Sequence, residues 1–189
     1  MTKKLLSKNN EWDINIIRSS WKILEKIVKD KYNIDYYPVR FEIITYEHML
    51  DIYSSWALPN LYNHWSFGRA FIKSYHDYKL TNGNLAYEVA INTDPCVVYL
   101  MANNSFTLQS LVMAHAGIGH NNFFKNNSWF KDHTNASKIL SLLSSGKKYI
   151  QDCEEKYGLD SVESLIDVCH SLFHYSIDRY RKPYKSRRD

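Results

Sequence analysis

Two imidazoles five residues apart, His115 and His120, sit in the string Met113-Ala-His-Ala-Gly-Ile-Gly-His-Asn-Asn-Phe-Phe. Neutral imidazole nitrogens are among the commonest metal donors and also serve as general acids and bases. A zinc helix of the H-E-x-x-H type uses a shorter step, with its histidines four apart and a glutamate between them as base. Here the step is five, and Ala116 occupies the glutamate's place. On a regular α-helix five steps turn through about 500°, well off the first residue's face. The pair can converge only if the helix breaks, and Gly117 and Gly119 are the residues that would break it. The alternative is a core histidine at 115 and a capping histidine at 120.

The surroundings favour a buried segment. From Pro95 to Phe124, thirty residues carry no Asp, Glu, Lys or Arg. Polar side chains in such a run must be hydrogen-bonded, ligate a metal or do chemistry. Glu88 is a further candidate donor or base. It lies between Ala86 and Ala90 in Leu85-Ala-Tyr-Glu-Val-Ala-Ile-Asn, where small neighbours leave room for approach. Its alternative is a solvent-facing strand residue. His64, in Asn63-His-Trp-Ser-Phe-Gly, and His170 are weaker additional ligands. Glu163, Asp167, His170 and His174 recur at helical steps on the last helix; they either share a metal or form its solvated face. A divalent metal is the one cofactor this inventory suggests. P-loop, G-x-G-x-x-G, G-x-S-x-G and C-x-x-C patterns are absent, which removes simple nucleotide, nucleophile-elbow and thioredoxin-like readings.

The elements that would position these groups follow from periodicity. Ile14, Ile17, Trp21, Leu24 and Val28 mark an amphipathic helix over about 12–32. Arg40–Ile44 is a short β-branched strand, 46–56 a helix, and His64 opens the next one. Leu85, Tyr87, Val89 and Ile91 alternate with Ala86, Glu88, Ala90 and Asn92, a strand signature. Asp94-Pro95 fits the start of a helix, and Ser105 or Thr107 caps another. On that one Leu108, Leu111, Val112 and His115 share a face expected to point inward. Two long helices, about 135–157 and 160–180, make a hairpin turning at Gly158, with Asp160 and Glu163 in a capping-box pattern. The fold class expected is α+β, predominantly helical with a small sheet and a C-terminal helical hairpin.

Composition bounds the rest. The 189 residues are 44% hydrophobic and 23% charged, enough for one globular domain spanning 1–189. The net charge of +4 is concentrated in the basic tail, 181–189 with Arg179 before it. The body carries no basic stripe, so a dedicated nucleic-acid module is not expected. Cys96, Cys153 and Cys169 lack a framework spacing, pointing to a reducing compartment. No signal peptide or membrane span is read, and a cytoplasmic location is expected.

Taken in order, several strings resemble the stage V sporulation protein R (SpoVR-like) family. They are Asp51-Ile-Tyr-Ser-Ser with Pro59, His64-Trp-Ser-Phe-Gly, the strand around Glu88 and the His115–His120 string. Cys153-Glu-Glu-Lys-Tyr-Gly, Cys169-His170 and Asp178-Arg-Tyr-Arg-Lys-Pro complete the set. The match runs from about Trp12 onward. It implies a cytoplasmic bacterial protein tied to formation of the spore cortex or, in bacteria that make no spores, to stress or cell-envelope processes. It also implies a functional link to a PrkA-like serine kinase and a von Willebrand-type protein. It supplies no catalytic residues. Family members continue beyond the Arg-Lys-Pro motif, so the chain resembles their N-terminal part and their C-terminal part becomes an expected partner. A metal-dependent enzyme, a non-catalytic regulatory or scaffold protein, and an inactive fragment of a split gene are the readings these observations leave open.

Overall fold

The computed structural model describes residues 11–58, 60–80, 88–173 and 175. Three strands, β1 (Val39–Ile44), β2 (Glu88–Ile91) and β3 (Cys96–Met101), form a sheet in the order β1-β3-β2. β1 runs parallel to β3, pairing Val39 with Cys96 and Ile44 with Met101. β2 runs antiparallel to it, pairing Glu88 with Leu100 and Ile91 with Val97.

The central strand explains the layering. Every residue of Cys-Val-Val-Tyr-Leu-Met is buried, as a strand covered on both faces requires. Val97, Tyr99 and Met101 point to one side, against Met49 and Ile52 of α2 (Tyr46–Ser54). Cys96, Val98 and Leu100 point to the other, against Ile17 of α1 (Ile14–Ile27) and Val112 and Met113 of α4 (Phe106–Ala114). The helix start expected at Asp94-Pro95 is therefore wrong, and the chain enters β3 there. An unbroken apolar run carries no period of two, so its strand character is hidden from pattern reading.

The other elements follow the periodic readings with local differences. α1 begins at Asp13, whose carboxylate accepts the Ile16 N–H at 2.7 Å, and widens into a π turn over Val28–Tyr32. α3 spans Trp65–Leu80, and α5 (Asn121–Asn126) and α6 (Ser128–His133) are short. Ser105 caps α4. α7 (Ile139–Tyr157) and α8 (Leu159–Leu172) form the expected hairpin about Gly158. The capping box is not made: Gly158 itself is the N-cap, without a side-chain bond. The strand residues Leu85–Tyr87, His174, the end of the last helical stripe and the basic tail lie outside the described residues.

Burial sorts the three thiols. Cys96 is fully buried, its Sγ donating to the Ile91 carbonyl at 3.3 Å, and burial pushes its pKa up to about 12. Cys169 is exposed and Cys153 half-buried. Because the thiolate is the reactive form, a thiol-exchange reagent at mildly alkaline pH should label Cys169 first and Cys153 more slowly. Cys96 should react only after denaturant is added; its labelling in the native protein would contradict this packing.

Candidate metal centre

Glu88, His115 and His120 each present a donor atom, and these atoms lie within 4.8 Å of one another. Glu88 Oε1 is 3.1 Å from His115 Nε2 and 3.9 Å from His120 Nε2. The two imidazole rings stand edge-on, centroids 4.5 Å apart. Glu88 is the first residue of β2, on the face it shares with Ala90 and pointing toward the helix that carries the histidines. Tyr53 of α2 ties down this strand end by donating its hydroxyl to the Glu88 carbonyl at 2.7 Å.

The histidines converge without a break in the helix. His115–His120 is a π segment, inserted between α4 and α5. In an i→i+5 helix residues five apart lie about one turn apart, so the step that fails on an α-helix succeeds here. The expected termination at Gly117 and Gly119 is thus replaced by a wider turn. His115 is not on the inward face either: Gln109, Val112, Met113 and Ala116 are buried, whereas the His115 side chain is 59% exposed and that of His120 46%.

Long-range contacts hold this turn. A Cβ on Gly117 would meet Phe41 Cζ at 3.1 Å and Trp21 Cζ3 at 3.2 Å. Those two rings pack edge-to-face at 4.8 Å, which leaves little freedom to retreat. Gly117→Val should therefore destabilise the fold by about 1–3 kcal/mol, the range for overpacking, as read by chemical denaturation. One residue past the segment, Asn121 is fully buried. Its Nδ2 donates to the carbonyls of Tyr37 (2.8 Å) and Gly117 (3.1 Å), and its Oδ1 accepts the Tyr37 N–H at 2.9 Å.

Burial acts in opposite senses on the two kinds of donor: it favours the metal-binding neutral form at His120 and disfavours the charged carboxylate at Glu88. Desolvation raises the Glu88 pKa, while His115 opposes that shift. Burial and then the neighbouring His115 lower the pKa of His120, favouring the neutral imidazole. Tetrahedral zinc with bonds of 2.0–2.2 Å separates neighbouring donors by about 3.3–3.6 Å. The Glu88–His115 gap of 3.1 Å falls just short of that range and the Glu88–His120 gap of 3.9 Å lies just beyond it, each within a small side-chain adjustment. Two nitrogens and one carboxylate leave a fourth position for water or substrate, the donor count of catalytic rather than structural zinc. The three groups fit a divalent metal. Glu88 and His120 line a cleft of ≈270 Å³ walled by Tyr53, Ala57, Ala90 and Phe124, and His115 stands just outside it.

His64 and His170 are brought together elsewhere, beside the N-terminus of α3. Their rings are 4.4 Å apart. The His64 side chain is 1% exposed, and its Nε2 lies 3.2 Å from Asp167 Oδ1. That distance makes an ion-pair contact, but the approach is off-line and Nε2 has no hydrogen-bond partner. Its Nδ1 is 2.7 Å from Ser66 Oγ. Asp167 also accepts from Trp65 Nε1 at 2.9 Å, and His170 Nε2 meets the Tyr62 hydroxyl at 2.5 Å. Desolvation, then His64, lowers the His170 pKa, with Asp167 opposing. Of the helical set on α8, Asp167 and His170 thus have specific partners. The types Ser66, His64 and Asp167 match a nucleophilic triad. However, the Ser66 backbone N–H also approaches His64 Nδ1 at 3.3 Å, which is a helix-capping geometry, and Ser66 does not line the adjoining cleft.

Tyr53, Phe124 and Tyr62 take part in these two clusters, and sequence reasoning does not point to them. Phe124 carries a usable signal, since it stands four residues after His120 and stacks on it with centroids 6.2 Å apart. The tyrosines carry none, because their partners are distant in the chain.

Comparison with known proteins places the chain. The family described as "SpoVR like protein" matches residues 11–189. "Uncharacterized protein YcgB" of Escherichia coli (strain K12) is 47% identical over 180 residues, covering 95% of this chain and 35% of that relative. The chain thus spans about a third of the length of the curated relative it matches. No solved structure matches. Among the described residues, no helix is long and apolar enough to cross a membrane. With a family match along nearly its whole length and a relative of this identity, the chain belongs to the SpoVR-like family.

Proposed function

We propose that this SpoVR-like chain is a metal-dependent hydrolytic protein whose centre is Glu88, His115 and His120. The observation that carries this reading is the convergence of three donor atoms within 4.8 Å, with Glu88 and His120 lining a cleft. A divalent ion bound there supplies Lewis acidity and an activated water near neutral pH. The chain's own groups do the rest. Glu88, whose pKa is raised by desolvation, has a second oxygen able to take a proton. Phe124 and Ala57 give the cleft an apolar wall, and the exposed His115 leaves the centre open to solvent.

In spore formers the process served would be cortex formation, and in other bacteria a stress or envelope process, as the family name and resemblance suggest. A cytoplasmic location and a functional link to a PrkA-like kinase and a von Willebrand-type protein belong to the same proposal. Metal analysis of the purified protein tests its core. One equivalent of metal lost in both His115→Ala and His120→Ala supports the centre, and a metal-free parent protein after loading with zinc sinks it.

A scaffold role draws on a different observation. The α7–α8 hairpin leaves Leu142, Tyr149, Leu165, Val168 and Leu172 more than half exposed. Residues 165, 168 and 172 form one helical stripe. Such a face suits docking of the polypeptide that makes up the remainder of a full-length relative. Co-expression with that remainder should give a complex that Leu165→Glu and Val168→Glu disrupt.

A further inference from the structure

We propose that His64, Asp167 and His170 form a second divalent-metal site, separate from the Glu88 centre. His64 is buried, yet its Nε2 makes no hydrogen bond and lies 3.2 Å from a carboxylate oxygen. A buried polar atom left without a hydrogen bond is unfavourable, so such an atom calls for a ligand. The 3.2 Å gap is close to the spacing of two donors on one zinc ion, about 3.3–3.6 Å for tetrahedral bonds of 2.0–2.2 Å.

The surrounding bonds have the form of an outer shell around metal ligands. A ligating histidine normally has its other ring nitrogen held by an oxygen partner, and a ligating carboxylate is itself hydrogen-bonded. Here His64 Nδ1 meets Ser66 Oγ at 2.7 Å, and His170 Nε2 meets Tyr62 Oη at 2.5 Å. Asp167 Oδ1 accepts from Trp65 Nε1 at 2.9 Å. His64 and Asp167 are each held at one atom with another donor left for the ion, Nε2 of His64 and the Asp167 carboxylate, whereas His170, held at Nε2, offers Nδ1 only once its ring turns. An ion on Nε2 would put the proton of His64 on Nδ1, which then donates to Ser66 Oγ and gives up the weaker 3.3 Å contact it accepts from the Ser66 N–H.

Two donors are already set, and the third must move. Among the described residues, only Glu88, His115 and His120 have three donor atoms within 4.8 Å of one another. The His170 ring, 4.4 Å from that of His64, completes the second set by a side-chain turn. His64 lines a cleft of ≈580 Å³ together with Asn63, Tyr62, Asp51 and Lys147, and the Asp167 side chain is 47% exposed, open to an ion from solvent. Two imidazoles and one carboxylate select a zinc-like ion over magnesium or calcium.

Zinc titration of the full chain against a chromophoric chelator tests this site, because the two centres are removed by different substitutions. The parent protein is expected to bind a second tight equivalent that Asp167→Asn/His170→Gln abolishes and that His115→Ala/His120→Ala leaves in place. An unchanged stoichiometry in Asp167→Asn/His170→Gln overturns this second site while the Glu88 centre stands. Loss of zinc only in His115→Ala/His120→Ala overturns it equally. Asn at 167 retains an acceptor for Trp65, and circular dichroism of each variant checks folding. Should the double variant fail to fold, the half-exposed His170→Gln alone must weaken the second equivalent at least tenfold, and an unchanged affinity refutes the site.

Discussion

Glu88→Gln is expected to weaken zinc binding at the Glu88–His115–His120 centre by more than about 100-fold. Loss of an outer-shell partner alone costs about 10–100-fold in metal affinity, and Glu88 is a direct donor, 3.1 Å from one imidazole and 3.9 Å from the other. The amide preserves shape and hydrogen bonding but removes the negative charge that offsets the cation. His115→Ala and His120→Ala should each do at least as much. His133→Ala serves as the control. That imidazole is exposed on α6 and is engaged with the Trp129 carbonyl at 3.0 Å, so its loss should leave affinity unchanged. Competition titration reads all four variants, and equal losses in His133→Ala and Glu88→Gln would mean nonspecific surface binding.

Asn121→Ala should be among the most destabilising single changes in the chain, by about 2–4 kcal/mol. It removes three hydrogen bonds of 2.8–3.1 Å and leaves backbone groups of Tyr37 and Gly117 without their partner. Each group so orphaned in a buried place costs about 1–3 kcal/mol. For a domain of this size the fall in Tm should be roughly 2–4 °C per kcal/mol. Asn121 also links the end of the π segment to the loop entering β1. The variant should therefore bind zinc more weakly at temperatures where it remains folded, although Asn121 touches none of the three donors. Wild-type affinity in a folded Asn121→Ala protein would show that the wide turn holds itself.

The same residues show how far local pattern reaches. Alternation about Glu88 is readable because β2 is an edge strand with unlike faces, Val89 and Ile91 buried and Glu88 and Ala90 half-exposed. β3 is not readable as a strand, because both of its faces are covered. The hairpin about Gly158 follows from helical stripes and a glycine stop. His115 is different. An inward position for it requires Leu108, Leu111 and Val112 to mark the buried face of α4. The buried set is instead Gln109, Val112, Met113 and Ala116, so His115 falls on the outer side.

Sequence alone determined the chemical inventory: two imidazoles in a charge-free run, a carboxylate between alanines, and histidine with aspartate on a late helix. It also determined the α+β class, because side-chain periodicity is a local property. Tertiary structure decided which groups meet. Helical pitch from His115 to His120 accompanies the close packing of Gly117 on Trp21 and Phe41 and the anchoring of Asn121 to Tyr37. Strand order placed Glu88 beside that turn, and the hairpin carried His170 to His64 rather than to the Glu88 centre. These outcomes rest on contacts between residues as many as 108 positions apart in the chain. No local spacing encodes such contacts, since their free energy appears only when the sheet and helices have packed.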